Sequence, residues 1–179
     1  LAALGAVDSA LRAHVLASLG LALAWSDPER RAAISQEAVA VARRVGDRVA
    51  LAQALSSRHF ALWGVGDVGE RFDVATEIVQ MAVADGDVEA ELRARVQRTG
   101  DLCELGRMDD AAAEVALCGR TADRLRQPYY LWWAAVLRVS HPLFAGRFDE
   151  AEQLIQHALA LGQRARDPNA FQIFGTQIF

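Results

Sequence analysis

Lysine is absent from this chain. All nineteen basic residues among the 179 are arginine, and they are spread along the sequence without a block. Against 23 acidic residues they leave a net charge of −4. Direct nucleic-acid contact by this segment is therefore not expected, because phosphate binding needs clustered cations. Cysteine is scarce too. Cys103 and Cys118 belong to no C-x-x-C pair and have no histidine at ligand spacing. They make no disulfide framework and read as small buried hydrophobes of a reducing cytosol. Long apolar runs are missing: the longest, between Arg12 and Asp27, falls short of the ~20 residues a membrane helix requires. An initiator Met and a basic leader region are missing as well, and the chain closes on the apolar "FQIFGTQIF". These ends read as those of an internal fragment of a larger cytoplasmic protein. Finally, no nucleophile–base constellation is visible, and His14, His59, His141 and His157 are scattered without metal spacing. No catalytic residue, metal site or cofactor is assigned, and the chain is not read as an enzyme.

What is present is apolar and periodic. Hydrophobic residues make up 53% and charged residues 23%, the balance of a globular chain with a core. "LGRMDDA" at 105–111 and "AGRFDEA" at 145–151 place Gly106 and Gly146 40 residues apart. The same step reaches back to Gly66 and to Ser26. A second series of turn signals runs Gly46-Asp47, Gly86-Asp87, Arg126-Gln127 before Pro128, and Arg166-Asp167 before Pro168. The chain thus reads as four 40-residue units, 8–47, 48–87, 88–127 and 128–167, with a partial fifth over 168–179. Between the turns the spacing is helical: Ile34, Ala38, Val41, Ala42 and Val45 share one face, as do Leu154, Ala158, Leu161, Gly162 and Ala165. No strand alternation is sustained.

The motif "WGVGDVGERF" at 63–72 contains Gly64, Gly66 and Gly69 in the order G-x-G-x-x-G. A dinucleotide site needs a strand before such a turn, and "AQALSSRHFALW" reads as a helix. The glycines are therefore assigned to ending one helix and opening the next. Asp67 and Glu70 have capping-box spacing, and Asp27-Pro28-Glu29 is a helix start. Trp63, at the end of a first helix, is expected to be buried between repeats.

The predicted architecture is all-α: antiparallel helix pairs stacked as a right-handed superhelix, a single domain over 1–179. The helix pairs and the "G-R-[MF]-D-[DE]-A" turn resemble tetratricopeptide-like repeats. Their long period is similar to the repeat regions of actinobacterial LuxR-type, ATP-dependent transcriptional regulators related to the maltose-regulon activator. The nucleotide- and DNA-binding motifs of that family are not in this chain. The resemblance implies a non-catalytic protein-interaction or sensor segment of a multidomain transcriptional regulator, binding a partner protein or peptide on a concave face. The alternative is a small-molecule inducer-binding domain that biases an ATPase switch elsewhere in the parent chain.

In such arrays the first helix of each pair lines the concave side. Those helices fall at 8–25, 48–65, 88–105 and 128–145, and aligning them gives the column Ser18, Arg58, Arg98, Arg138. The next turn on that face adds Asp101 and His141. An arginine ladder would suit an acidic peptide or a small anionic ligand; the other reading of the column is a solvated edge. "PYYLWWAAVLRVSHPLF" crowds aromatics on one helix, so Tyr129 and Trp133, with His141, are the candidate wall of a ligand pocket, against core packing as the plainer role. Pro142 is expected to interrupt that helix.

Overall fold

The computed structural model describes residues 7–23, 26–64 and 67–178. Gly66 of the glycine motif and Trp25 lie outside the described residues. Among those described, every regular element is a helix. The chain divides into two compact units, Leu1–Ala84 and Asp85–Phe179.

The first unit contains α1 (Ala10–Ala22), α2 (Pro28–Val45), α3 (Arg48–Ala61) and α4 (Val68–Asp85), the last crossing its boundary by one residue. The second contains α5 (Val88–Glu104), α6 (Met108–Leu125), α7 (Pro128–Arg138), α8 (Ser140–Phe144), α9 (Phe148–Ala165) and α10 (Ala170–Ile178). The second helices α2, α4, α6 and α9 are each 18 residues long and begin at 28, 68, 108 and 148. The 40-residue step of the sequence is thus the step of the helices.

Local chemistry sets these boundaries. Asp27, Asp47 and Asp87 accept from the backbone N–H three residues on, at 3.0, 2.8 and 2.9 Å, and so cap α2, α3 and α5. At the other end of the second helices one slot is left-handed in all four: Gly46 (φ 73°), Gly86 (φ 70°), Arg126 (φ 54°) and Arg166 (φ 55°). Glycine adopts that conformation freely; at the two arginine positions a proline two residues on helps to stop the helix. Pro142 acts as expected. The helix read over 128–145 breaks at Val139, whose N–H turns back to Val136 O at 3.3 Å before α8 restarts.

Each unit has its own core. In the first, Ala13, Leu16 and Ala17 of α1 pack on Ile34, Ala38, Val41 and Ala42 of α2 and on Ala50 and Ala54 of α3. Four of the five face residues predicted for α2 are in it; Val45 is 37% exposed. Small residues let the helices approach: the Ser57 hydroxyl donates to Ala17 O at 2.9 Å. In the second unit Trp132 is 1% exposed and lies over Gly162, where a Cβ would stand 2.8 Å from the indole nitrogen. In α9 Ile155, beside Ala151 and Ala158, is buried, whereas Leu154 is half-buried.

Candidate functional site

The three arginines of the column lie in three different environments. Arg58 is the most engaged, its side chain only 13% exposed. Its Nε and one terminal nitrogen donate to a single oxygen of Glu70, at 3.0 and 2.6 Å, and the other terminal nitrogen donates to Ala32 O at 3.1 Å. Arg98 lies 3.6 Å from Glu114 Oε2 and is 25% exposed. Arg138 is exposed, with its guanidinium lying against Gly119. Asp101, expected on the surface beside the ladder, is 0% exposed and sits in the interior of the second unit.

Glu70 explains why Arg58 is held. In α6 and α9 the acid at the third helical position pairs with an arginine at the N-cap: Arg107–Asp110 at 2.8 Å and Arg147–Glu150 at 2.6 Å. In α4 the residue before the helix is Asp67, which accepts from Gly69 N–H at 2.7 Å. The Glu70 carboxylate, at the spacing expected of a capping box with Asp67, reaches Arg58.

That pair forms one wall of an open groove of about 430 Å³ between α2, α3 and α4. Val39 and Ala40 of α2, Leu55 of α3 and Val74 of α4 line it with apolar surface. Arg43, Arg58, Glu70, Asp73 and Glu77 supply its charge. Arg43 reaches across from α2 to Glu77 of α4 at 2.6 Å. The volume is in the range of small-ligand and peptide side-chain sites.

The aromatic candidates form a packed cluster. Tyr129 is 44% exposed and stands edge-on to Tyr130 (5.1 Å between centroids), Trp132 (6.1 Å) and Trp133 (6.4 Å). Trp133 is half-buried and packs on the cluster around Trp132, Ala135 and Ala158. His141 is exposed and borders a cavity of about 10 Å³ with Thr99, Cys103 and Met108, room for one water at most. The structure thus brings Tyr129 and Trp133 together and puts His141 at a different, very small cavity.

Two clusters of buried charge escaped the sequence reading. In the first unit Arg31 is 6% exposed and donates to Ala61 O and Trp63 O at 3.1 and 3.0 Å, closing the end of α3. Arg71, one 40-residue step on and 3% exposed, places its guanidinium 4.6 Å from the centre of the Trp63 ring. Trp63 itself is 49% exposed, which corrects the expectation that it is buried. The reason is that α3 stops at Ala61 and leaves Trp63 in the turn beyond it. The signal for the arginines lay in the second helices, where one column reads Arg31, Arg71, Ala111, Ala151.

In the second unit a chain of ions joins α5 to α6. Arg95 is held between Glu91 (2.9 Å) and Glu114 (2.8 Å), and Arg124 reaches Glu91 at 3.4 Å. Burial pulls the Arg95 pKa down, but the hydrogen bonds that it donates to Glu114 and Glu91 outweigh it and the net shift is upward. The guanidinium stays charged in its site. Glu91 and Arg95 stand at i, i+4 in the sequence; Glu114 has no local signal. Burial, with Glu114 adding to it, pushes the Cys118 thiol up to about 12, and Cys103 is raised by burial as well. Both are free thiols, and neither has a thiolate's reactivity at neutral pH.

Among the described residues no group of three or more His, Cys, Asp or Glu is placed to hold a metal ion, and no helix is long and apolar enough to cross a membrane. Compared with known proteins, the chain matches no protein-family model and no curated protein.

Proposed function

We propose that this chain is a non-catalytic interaction segment of tetratricopeptide-like helix pairs, a sensor arm of a cytoplasmic, multidomain transcriptional regulator of the LuxR type. The observation that supports it best is the recurrence of 18-residue second helices at a fixed 40-residue step. Repeats of this kind act by presenting grooves between neighbouring helices to a partner. The groove between α2, α3 and α4 is the proposed site, with Arg58 as the one member of the arginine column that borders it. Its volume also suits the second reading, a small inducer, better than the packed Tyr129–Trp133 cluster does.

Selection from a displayed random peptide library tests the proposal, with Ala40→Trp as the groove-filled control. Enriched peptides should bind the wild-type chain at least about tenfold more tightly than Ala40→Trp. Peptides that bind both equally would contradict the assignment of the groove.

A further inference from the structure

The sign of the groove is legible in its ion pairs. Its lining holds two arginines and three carboxylates, one negative charge in excess. Both arginines are already occupied. Arg43 is paired with Glu77, and Arg58 directs two donors to Glu70 and a third to Ala32 O. An incoming anion would have to displace a carboxylate that the fold itself supplies. The carboxylates keep spare capacity: the hydrogen bonds from Arg58 to Glu70 all fall on Oε1, while each carboxylate can accept about four hydrogen bonds. Glu70, Asp73 and Glu77 stand at i, i+3 and i+7 of α4, so they share one face over about 10 Å. Asp73 is exposed between the two paired acids.

Resting on the reading of this groove as the binding site, we infer that its occupant is a basic–apolar peptide segment of a partner protein. In it an arginine or lysine meets Asp73 and the outer oxygens of Glu70 and Glu77. An adjacent aliphatic or aromatic side chain covers the half-buried Val39, Ala40 and Val74. The apolar lining is what favours a peptide over a bare cation, since a cation alone would leave that surface in water. This is the opposite sign from the ligand that the arginine column suggests when read as sequence.

Three fluorescent dodecapeptides of one leucine-rich sequence, carrying two Arg, two Gln or two Glu, test the inference by anisotropy with the full chain. The Arg peptide should bind at least about tenfold more tightly than the Glu peptide, lose about fivefold or more in Asp73→Asn, and weaken as salt rises. Circular dichroism checks that the exposed Asp73→Asn change leaves the helices intact. Tighter binding of the Glu peptide, equal binding of all three, or an Arg peptide indifferent to Asp73→Asn would overturn the inference. So would the absence of binding by any of them. If the Glu peptide binds and Ala40→Trp abolishes it, the groove stands as the site and only its sign is wrong. Binding that survives Ala40→Trp removes the groove as well.

Discussion

The ends of the first helices α3, α5 and α8 carry different contacts. In the second unit the backbone closes them. After α5, Arg107 N–H donates to Leu102 O at 2.9 Å and Gly106 N–H to Cys103 O at 3.0 Å; after α8, Arg147 N–H and Gly146 N–H repeat this on Pro142 O and Leu143 O at 2.9 and 3.1 Å. This is the Schellman arrangement, and it satisfies the last carbonyls with no side chain. At the end of α3, in the first unit, a side chain from the neighbouring helix joins the backbone: Leu62 N–H donates to Arg58 O at 3.1 Å and Trp63 N–H to Phe60 O at 3.3 Å, and Arg31 of α2 takes Ala61 O and Trp63 O. The C-caps after α5 and α8, Leu105 and Ala145, are 40 residues apart, whereas the C-cap of α3, Leu62, falls three residues short of the corresponding position 65. There the buried Arg31, at the slot where the second unit has Ala111 and Ala151, takes two carbonyls beyond the reach of those alanines. The slot thus holds an arginine at 31 and 71 and an alanine at 111 and 151. At the start of α4, Asp67 stands where α6 and α9 have an N-cap arginine, and Glu70 pairs with Arg58 in the groove wall.

Exchanging the slots between the units should have the most severe effect. Ala111→Arg puts a guanidinium into a site that is 3% exposed, beside α8, whose end Arg147 and Gly146 already close. Overpacking and an unpaired buried charge should together cost about 4 kcal/mol or more, read as a fall in denaturant midpoint; a loss under about 1 kcal/mol would show that the slot has room. Next is Glu114→Ala. It removes one of the two carboxylates that hold Arg95, whose side chain is 11% exposed. About 3 kcal/mol should be lost by chemical denaturation, and a near-neutral result would mean that water reaches the ion chain. Smallest is Trp63→Ala. A fully buried tryptophan would cost ~3–5 kcal/mol. With half the indole in solvent and the cation–π interaction with Arg71 removed, about 1–2 kcal/mol is expected in the same denaturation experiment. A cost near 4 kcal/mol, within that buried range, would restore the buried placement.

Much of the fold was legible because turn chemistry is local. The aspartate caps, the left-handed slot at 46, 86, 126 and 166, and the break before Pro142 all follow from residues a few positions apart. The site was less legible because a column of equivalent positions says nothing about partners on other helices. Arg58, Arg98 and Arg138 align in sequence yet meet a glutamate of α4, a glutamate of α6 and a glycine of α6. Asp101 aligns with the ladder and turns inward. Aligning the second helices as well would have exposed the Arg31–Arg71 pair, since two arginines replacing two alanines at one slot is visible without a structure.

Hydrogen exchange read by mass spectrometry on wild type and Arg31→Ala isolates what the arginine side chain adds at the end of α3, with the backbone-closed end of α5 as the reference. The prediction is that amides 58–63 exchange at least about tenfold faster in the variant while 101–106 keep their wild-type protection. Unchanged exchange at 58–63, or equal acceleration at both helix ends, would contradict it.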